Sequence, residues 1–470
     1  MRKTWSVRRT ARLARTAATA VLALVVAASP GQNENPKGIT AIIGAAVVDV
    51  EKGVVLDDQT VLLQGERIVK IGPRARVDVS KDARTIDGRG LHLIPGLVDA
   101  HVHYYDPQVF GPAMIANGIV LVRETGQPNE TALPLRQALN AGAMLGPEMI
   151  ATGWILDGDP PFIPQASRGV KTPDEGRAAV RAQAAAGVDE IKVYSKLEKD
   201  VFEAICDEAK RAGLKAVGHV PEAVYLEDAV AAGLRCIDHV HGFDKVIGRL
   251  LGLPVKLASG GMGVNFDYWP RLAEVDPAKL REVFGRLRAS GVIVCPTIVV
   301  FKVRSGLGDV KARTYPMSEY ISPVIQGIWN ALWNPAERAE WEKLWPPIAA
   351  FVAAMHKAGV PMMIGTDLSM PGIIPGFAVH EEMAIWQDAG IAAADVLRGA
   401  TIVPARFLNQ ESRLGSVAEG KIASLVLVRG NPLKDIRAAG RVEGVFLRGQ
   451  YFDRGRLDQM LKEARDLARQ

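Results

Sequence analysis

Six residues in this chain stand out as candidates to bind metal ions or move protons: His101, His103, Lys192, His219, His239 and Asp367. His101-Val102-His103 closes the apolar run from Leu93 to Ala100. Successive side chains of a strand alternate faces, so residues two apart project from the same side. Both imidazoles therefore leave one strand end together, close enough to hold one metal ion. Each residue alone has a plainer reading. A single His at a strand end is more often a packing residue, Lys192 reads as a surface charge, and Asp367 in Gly365-Thr366-Asp367 reads as a helix N-cap. Those readings fail jointly, because every one of the six sits in or at the end of a short β-like run.

The elements that must position them form a repeat. After Gly96 there are eight strand candidates: Leu97–His103, Ile119–Arg123, Met149–Thr152, Glu190–Tyr194, Ala216–His219, Cys236–His239, Val292–Thr297 and Met362–Thr366. Helices predicted at Pro173–Ala186, Lys199–Ala212 and Glu222–Ala232 are each closed by a glycine, the usual C-terminal stop. Alternating βα units over residues 96–407 predict an α/β fold, a (β/α)8 TIM barrel, with an open sheet as the alternative. Barrel active sites collect at the C-terminal strand ends, where all six residues fall.

Residues 37–95 carry short strands separated by turns, and strand-like segments resume in 408–456 at Leu414–Val417, Ser424–Val428, Gly444–Leu447 and Gln450–Phe452. These predict one small β-sandwich domain built from both chain ends. Residues 457–470 read as a C-terminal helix.

Residues 1–28 hold six basic residues and no acid, followed by a short apolar run and small residues. This pattern predicts a cleaved signal peptide and a periplasmic or secreted protein. Arg8-Arg9 leaves a twin-arginine route open beside the general one. Taking those six charges from the formal +5 leaves −1, so composition gives no case for nucleic acid, nor for a membrane surface after cleavage. Cys206, Cys236 and Cys295 are an odd number without CxxC spacing and read as small buried residues.

The stretches from Leu93 to His103, Ile191-Lys192-Val193-Tyr194, Gly218-His219-Val220-Pro221, Ile237-Asp238-His239 and Gly365-Thr366-Asp367 resemble the metal-dependent amidohydrolase superfamily. The nearest group is the imidazolonepropionase-like one, which includes exported prolidase-like dipeptidases. Matches continue at Pro404–Leu408, Gly420–Leu427 and Asn431-Pro432-Leu433. Ser424 departs from the family's usual Asp, away from the site. The resemblance implies zinc, two ions per chain. His101, His103 and Asp367 would hold one and His219 and His239 the second, with Lys192 bridging them as a carbamate formed with CO2. A zinc-bound hydroxide would attack a carbonyl, with Asp367 as general base and then acid. Some relatives use a single metal without a lysine; His219 would then be a third ligand and His239 a hydrogen-bonding partner. Lys196 is the competing lysine.

Tyr194 shares a strand face with Lys192 and is a catalytic candidate for the developing oxyanion, or a plain barrel-lining residue. His241 reads as a loop residue or a supporting neighbour, and His380 as a capping residue near the pocket mouth. His92 and His356 are assigned no function. Trp329, Trp333, Trp341 and Trp345 mark an insertion after the seventh strand that is either a substrate lid or a packed subdomain. The expected function is hydrolysis of a C–N bond in a small amide or peptide-like substrate. Ester, lactone or phosphotriester hydrolysis on the same site is the alternative, and a non-catalytic binding protein the last one. Substrate-binding residues are not legible, and a homo-oligomer is left open.

Overall fold

A computed structural model describes residues 38–255, 267–306, 317–332 and 338–470. The expected signal peptide and Trp333 lie outside the described residues.

The chain opens with β1 (Ile39–Asp49), β2 (Val54–Gln64), β3 (Arg67–Pro73), β4 (Arg84–Asp87) and β5 (Leu91–Pro95). Near its other end it adds β15 (Leu425–Arg429), β16 (Val442–Leu447) and β17 (Gln450–Asp453). These eight form one mixed sheet in the order β17-β16-β15-β5-β1-β2-β3, with β4 paired to β1. The seam between chain ends is antiparallel, Pro95 opposite Leu425 and Leu91 opposite Arg429. The sheet has its own apolar core, including Ile42, Val61, Ile68, Leu427 and Phe446. Leu414–Val417 is not a strand. Gly415 turns the chain at φ 85°, and the Leu414 amide is taken by the Gln410 carbonyl.

Between the two halves runs the βα repeat: β6 (Leu97–Val102), α1 (Pro107–Ala116), β7 (Ile119–Glu124), α2 (Asn129–Asn140), β8 (Glu148–Ala151). Two short strands follow, β9 (Ile155–Gly158) and β10 (Ser167–Val170). Then come α3 (Pro173–Ala186), β11 (Glu190–Val193), α4 (Lys199–Arg211), β12 (Lys215–Gly218), α5 (Leu226–Ala232), β13 (Leu234–Asp238) and α6 (Phe243–Leu250). After them follow α7 (Pro277–Ser290), β14 (Ile293–Cys295), α8 (Ile298–Gly306), α9 (Pro323–Leu332), α10 (Arg338–Lys357), α11 (Phe377–Asp388), α12 (Ala393–Gly399) and α13 (Ile402–Phe407). The chain closes with α14 (Arg454–Ala468). No helix among the described residues is long and apolar enough to cross a membrane.

The parallel strands fall into two sheets, β6-β7-β8 and β10-β9-β11-β12-β13-β14. Backbone hydrogen bonds link them at both margins. Asp189 donates to Ala151 at 2.9 Å beside β8. On the other side residues 361–368 lie between β14 and β6: Met363 donates to Val294, Ala100 to Ile364, and Asp367 to His101. The expected eighth strand is thus a hydrogen-bonded segment with only isolated bridges, to Val294 and Val102.

Helix boundaries follow local chemistry. In α3 the Thr172 hydroxyl accepts from the Glu175 amide, and Gly187 ends the helix at φ 83°. Helix α5 starts four residues later than Glu222, because the buried Lys245 ammonium binds the carbonyls of Pro221, Glu222 and Val224 and holds them in a turn. After Ala392 the helical stretch is broken at Thr401 into α12 and α13.

Candidate functional site

The site starts from how β6 ends. Its neighbour, residues 361–368, donates from Asp367 to the His101 carbonyl (2.8 Å) and accepts from the His103 amide at Leu368 (3.1 Å). Asp99 fixes that register: its carboxylate accepts from the Thr366 amide (3.0 Å), the Thr366 hydroxyl (2.6 Å) and the His101 amide (3.3 Å). Gly365 permits the approach, since a Cβ there would lie 2.5 Å from Cys295 Sγ and 2.9 Å from the His101 nitrogen. The result sets Asp367 Oδ1 3.4 Å from Nε2 of both His101 and His103. His239, Thr297, Asp367 and Ser369 all have positive φ, between 46° and 89°. Left-handed backbone at non-glycine residues is costly, and its concentration here marks a site that the surrounding fold over-determines.

The imidazoles are oriented from behind. Ser195 Oγ shares a 2.9 Å hydrogen bond with His219 Nδ1, and Thr297 Oγ1 one of 2.6 Å with His239 Nδ1. Each ring thereby keeps Nε2 for something else. His219 Nε2, both nitrogens of His101 and Nδ1 of His103 are buried with no hydrogen-bond partner. Burial lowers His239 to about 3 and drives His219 and His241 well below 6.5, so these three favour the neutral form. Burial opposes ionisation of Asp367 too, but the imidazoles around it prevail and hold its carboxyl well below the usual range. Neutral imidazoles and an ionised carboxylate are the forms that ligate metals.

Ligand atoms of His101, His239 and Asp367 lie within 4.8 Å of one another, and so do those of His219, His239 and His241. The second trio does not converge on one ion. The rings of His219 and His241 stack at 3.8 Å with 18° between planes. An imidazole ligates in its own plane, and two nearly parallel planes cannot both contain the same ion. Tyr194 also stacks on His219, at 4.0 Å and 26°. Two rings cannot share one face at these separations, so Tyr194 and His241 clamp His219 from both sides. A third trio, His101, Asp238 and Cys295, fits poorly, because burial pushes the Cys295 thiol well above its usual value. Nε2 of His101, His103 and His219, with His239 and Asp367, is therefore the set that fits one or two metal ions.

Lys192 is fully buried beside this set, where its ammonium donates to Asp238. Asp238 also accepts from Arg123 Nη1 (3.2 Å) and lies 3.4 Å from His101 Nδ1. Arg123 Nε donates to Glu190 at 2.6 Å. Lys196 points elsewhere, its ammonium on the Pro160 carbonyl. Sequence reasoning missed this layer of Arg123, Glu190 and Asp238, and missed Ser195 and Thr297. A charged residue closing the run Ile-Val-Leu-Val-Arg123, buried at every position, was the available signal for Arg123.

His219, His239, Asp367 and Tyr194 line a cleft of about 540 Å3, part of it open to solvent. Its walls are Phe162, Val300, Phe301, Trp341 and Met370, joined by Ser195, His241 and Arg304. Among the described tryptophans of the insertion Trp341 reaches the cleft, while Trp329 is fully buried. His380 is not at the cleft; its Nε2 bonds the Asn117 carbonyl at 2.9 Å. His356 lies near Asp395 on the outer helices, and His92 is in β5.

The sequence profile of the amidohydrolase family matches residues 92–451, and the chain belongs to that family. Among individual proteins it is similar to ochratoxinase from Aspergillus niger, 23% identical over 275 residues. That match covers 44% of this chain and 57% of ochratoxinase, so the chain spans little more than half of that relative. Bottromycin amidohydrolase shares the fold with a TM-score of 0.73 at 24% identity, over 92% of this chain and 90% of the other. A putative prolidase from Bifidobacterium longum does so at 0.65 and 22%, over 91% and 99%.

Proposed function

We propose that this chain is an exported metal-dependent hydrolase that cleaves a C–N bond in a small amide or peptide-like substrate. The observation that carries the reading is a cleft lined by His219, His239 and the ionised Asp367, with His101 and His103 directly behind Asp367 at 3.4 Å. The names of the similar proteins, a prolidase and an amidohydrolase among them, favour amide chemistry. Export rests on the basic and apolar residues 1–28 alone. The βα units are read as a (β/α)8 barrel, supported by the hydrogen bonds at both sheet margins; the sheet built from both chain ends is its β-sandwich companion.

His101, His103 and Asp367 would hold one ion and His219 and His239 a second, with Lys192 able to join them once carboxylated. Zinc suits this donor set, and when bound it supplies Lewis-acid polarisation and a water of lowered pKa. The chain's own residues do the rest. Asp367 takes a proton from the attacking water and returns it to the leaving nitrogen. Ser195 and Thr297 hold the rings of His219 and His239 in place. Tyr194 borders the cleft with a hydroxyl that burial keeps protonated, and it donates to the carbonyl oxygen as charge develops there. The aromatic walls exclude water around the scissile bond.

The test is metal content per chain of the full protein, with turnover of N-acyl amino acids, dipeptides and aryl esters. One or two ions, loss of amide cleavage on chelation, and a loss of about 10³-fold in Asp367→Ala are expected. Cleavage of esters but no amide overturns the C–N assignment. Absence of metal overturns the whole reading.

A further inference from the structure

We propose that Glu382 is a positioning residue for His239: its carboxylate anchors the first turn of α8 and thereby aims the Thr297 hydroxyl at the imidazole. This deepens the metal-dependent reading above and rests on it. Glu382 lies on α11 with its side chain fully buried. Its two oxygens divide two consecutive amides between them. Oε1 accepts from Ile298 at 3.1 Å and Oε2 from Val299 at 2.6 Å. Trp386, one turn further along α11, donates its indole N–H to Oε1 at 2.7 Å and so fixes the plane of the carboxylate.

These two amides follow directly on Thr297. A helix leaves its first N–H groups without partners of its own, and a carboxylate at that end suits both their hydrogen-bonding and their partial charge. Thr297 needs the anchorage. It is β-branched and stands at φ 46°, a backbone conformation that such residues resist. Without a hold on the next two amides the turn would relax and carry the hydroxyl away. His239 depends on where that hydroxyl stays. Its amide donates to the Cys295 carbonyl at 2.7 Å, and its Nδ1 shares the 2.6 Å hydrogen bond with Thr297 Oγ1. Backbone and ring are thus set by residues two apart, Cys295 closing β14 and Thr297 leading into α8. The strand fixes the first, and Glu382 fixes the second.

The choice of an acid here is informative. Burial raises the Glu382 carboxyl to about 8, while its three N–H donors pull the other way. A glutamine of the same size would accept through one oxygen and turn its NH2 group toward the second amide. Only the acid holds both amides at once. Val300 and Phe301, which wall the cleft, stand on the same first turns of α8, so one anchor sets the histidine and the wall together.

The test compares the full chain with Glu382→Gln, Thr297→Val and the double variant at about pH 9, above the value for Glu382. In metal-free protein with 15N-labelled histidines, His239 is expected to hold one tautomer in the unmodified chain and a mixture in Glu382→Gln, as in Thr297→Val. Zinc affinity, from competition with a chromophoric chelator, should fall about 10-fold in Glu382→Gln. Because Glu382 acts through Thr297, adding Glu382→Gln to Thr297→Val should cost less than about 2-fold more. A single unchanged tautomer in Glu382→Gln, or losses that multiply in the double variant, overturn the inference while leaving the hydrolase reading intact. Should Glu382→Gln not fold, Trp386→Phe frees the carboxylate to turn without removing it. A loss of about 3-fold in zinc affinity is then expected, and none in the Thr297→Val background; an unchanged affinity overturns the proposal. If the unmodified chain binds no zinc, the hydrolase reading fails and the tautomer of His239 alone decides: a mixture in Glu382→Gln upholds the positioning role, and a single form overturns it.

Discussion

Two buried polar layers lie one beneath the other in this protein, and they are completed in different ways. In the lower one, Arg123, Glu190, Asp238 and Lys192 are joined by direct ion pairs, so that each side chain has a charged partner even though Arg123 Nη2 and Glu190 Oε1 make no hydrogen bond of their own. In the upper one, His101, His103 and His219 keep nitrogens without partners. Unpaired polar atoms out of water cost free energy, so a fold carries several together only where something else is to occupy them. The paired layer is a foundation and the unpaired one a receptor. His101 belongs to both, with Nδ1 near Asp238 and Nε2 near Asp367.

The largest effect that could break this contrast is Arg123→Met. It leaves Glu190 and Asp238 buried without their shared cation, and breaking such a pair costs about 3–5 kcal/mol. Chemical denaturation should show that loss in the metal-free protein. A destabilisation below ~1 kcal/mol would mean the lower layer is no foundation.

Next in size are Ser195→Ala and Thr297→Val, which free His219 and His239 to rotate. Loss of such an orienting group lowers metal affinity by about 10- to 100-fold. Competition with a chromophoric chelator measures it, and stability of the metal-free protein should barely move. Equal losses in affinity and in metal-free stability would erase the distinction between the layers.

Taken per pH unit, the smallest effect concerns protons. His241 is buried and its folded pKa lies well below the unfolded value of 6.5, with burial as the main cause. The unfolded state therefore binds the extra proton first. Stability from this residue is present above pH 6.5 and falls as pH drops below it, by about 1.4 kcal/mol per unit. His241→Asn should make the stability–pH slope between pH 4 and 6 shallower by that amount. Asp99 and Glu124, raised by burial to about 7, act in the opposite sense and are common to both proteins, so the difference isolates His241. Parallel profiles would show that His241 is protonated in the folded state.

Much of this was legible in the sequence because strand and helix patterns repeat. The periodicity located β6, β7, β11, β12 and β13 to within a residue or two, and His101-Val102-His103 declared its shared face through strand parity alone. Long-range completion was not legible. Nothing local to Thr297 or Ser195 points to a histidine on another strand. Asp238 reads as a mere neighbour of His239 until Lys192 and Arg123 are seen on it. The delayed start of α5 depends on Lys245, more than a dozen residues downstream. Trp341 and Arg304 meet in the cleft only because α8 and α10 pack together, a contact that no periodicity encodes.

The seam of β5 with β15 also bears on how the chain acquires its structure. Leu91–Pro95 finds its partner in Leu425–Arg429, on the far side of the whole βα repeat. During synthesis the first five strands emerge with one edge unmatched and must wait for almost the entire polypeptide. Pairings of such sequence separation form slowly, and an open strand edge invites association with other chains. A newly made chain therefore passes through a long interval as a half-built sheet, in which binding by a holding chaperone protects it and premature crowding favours aggregation over completion.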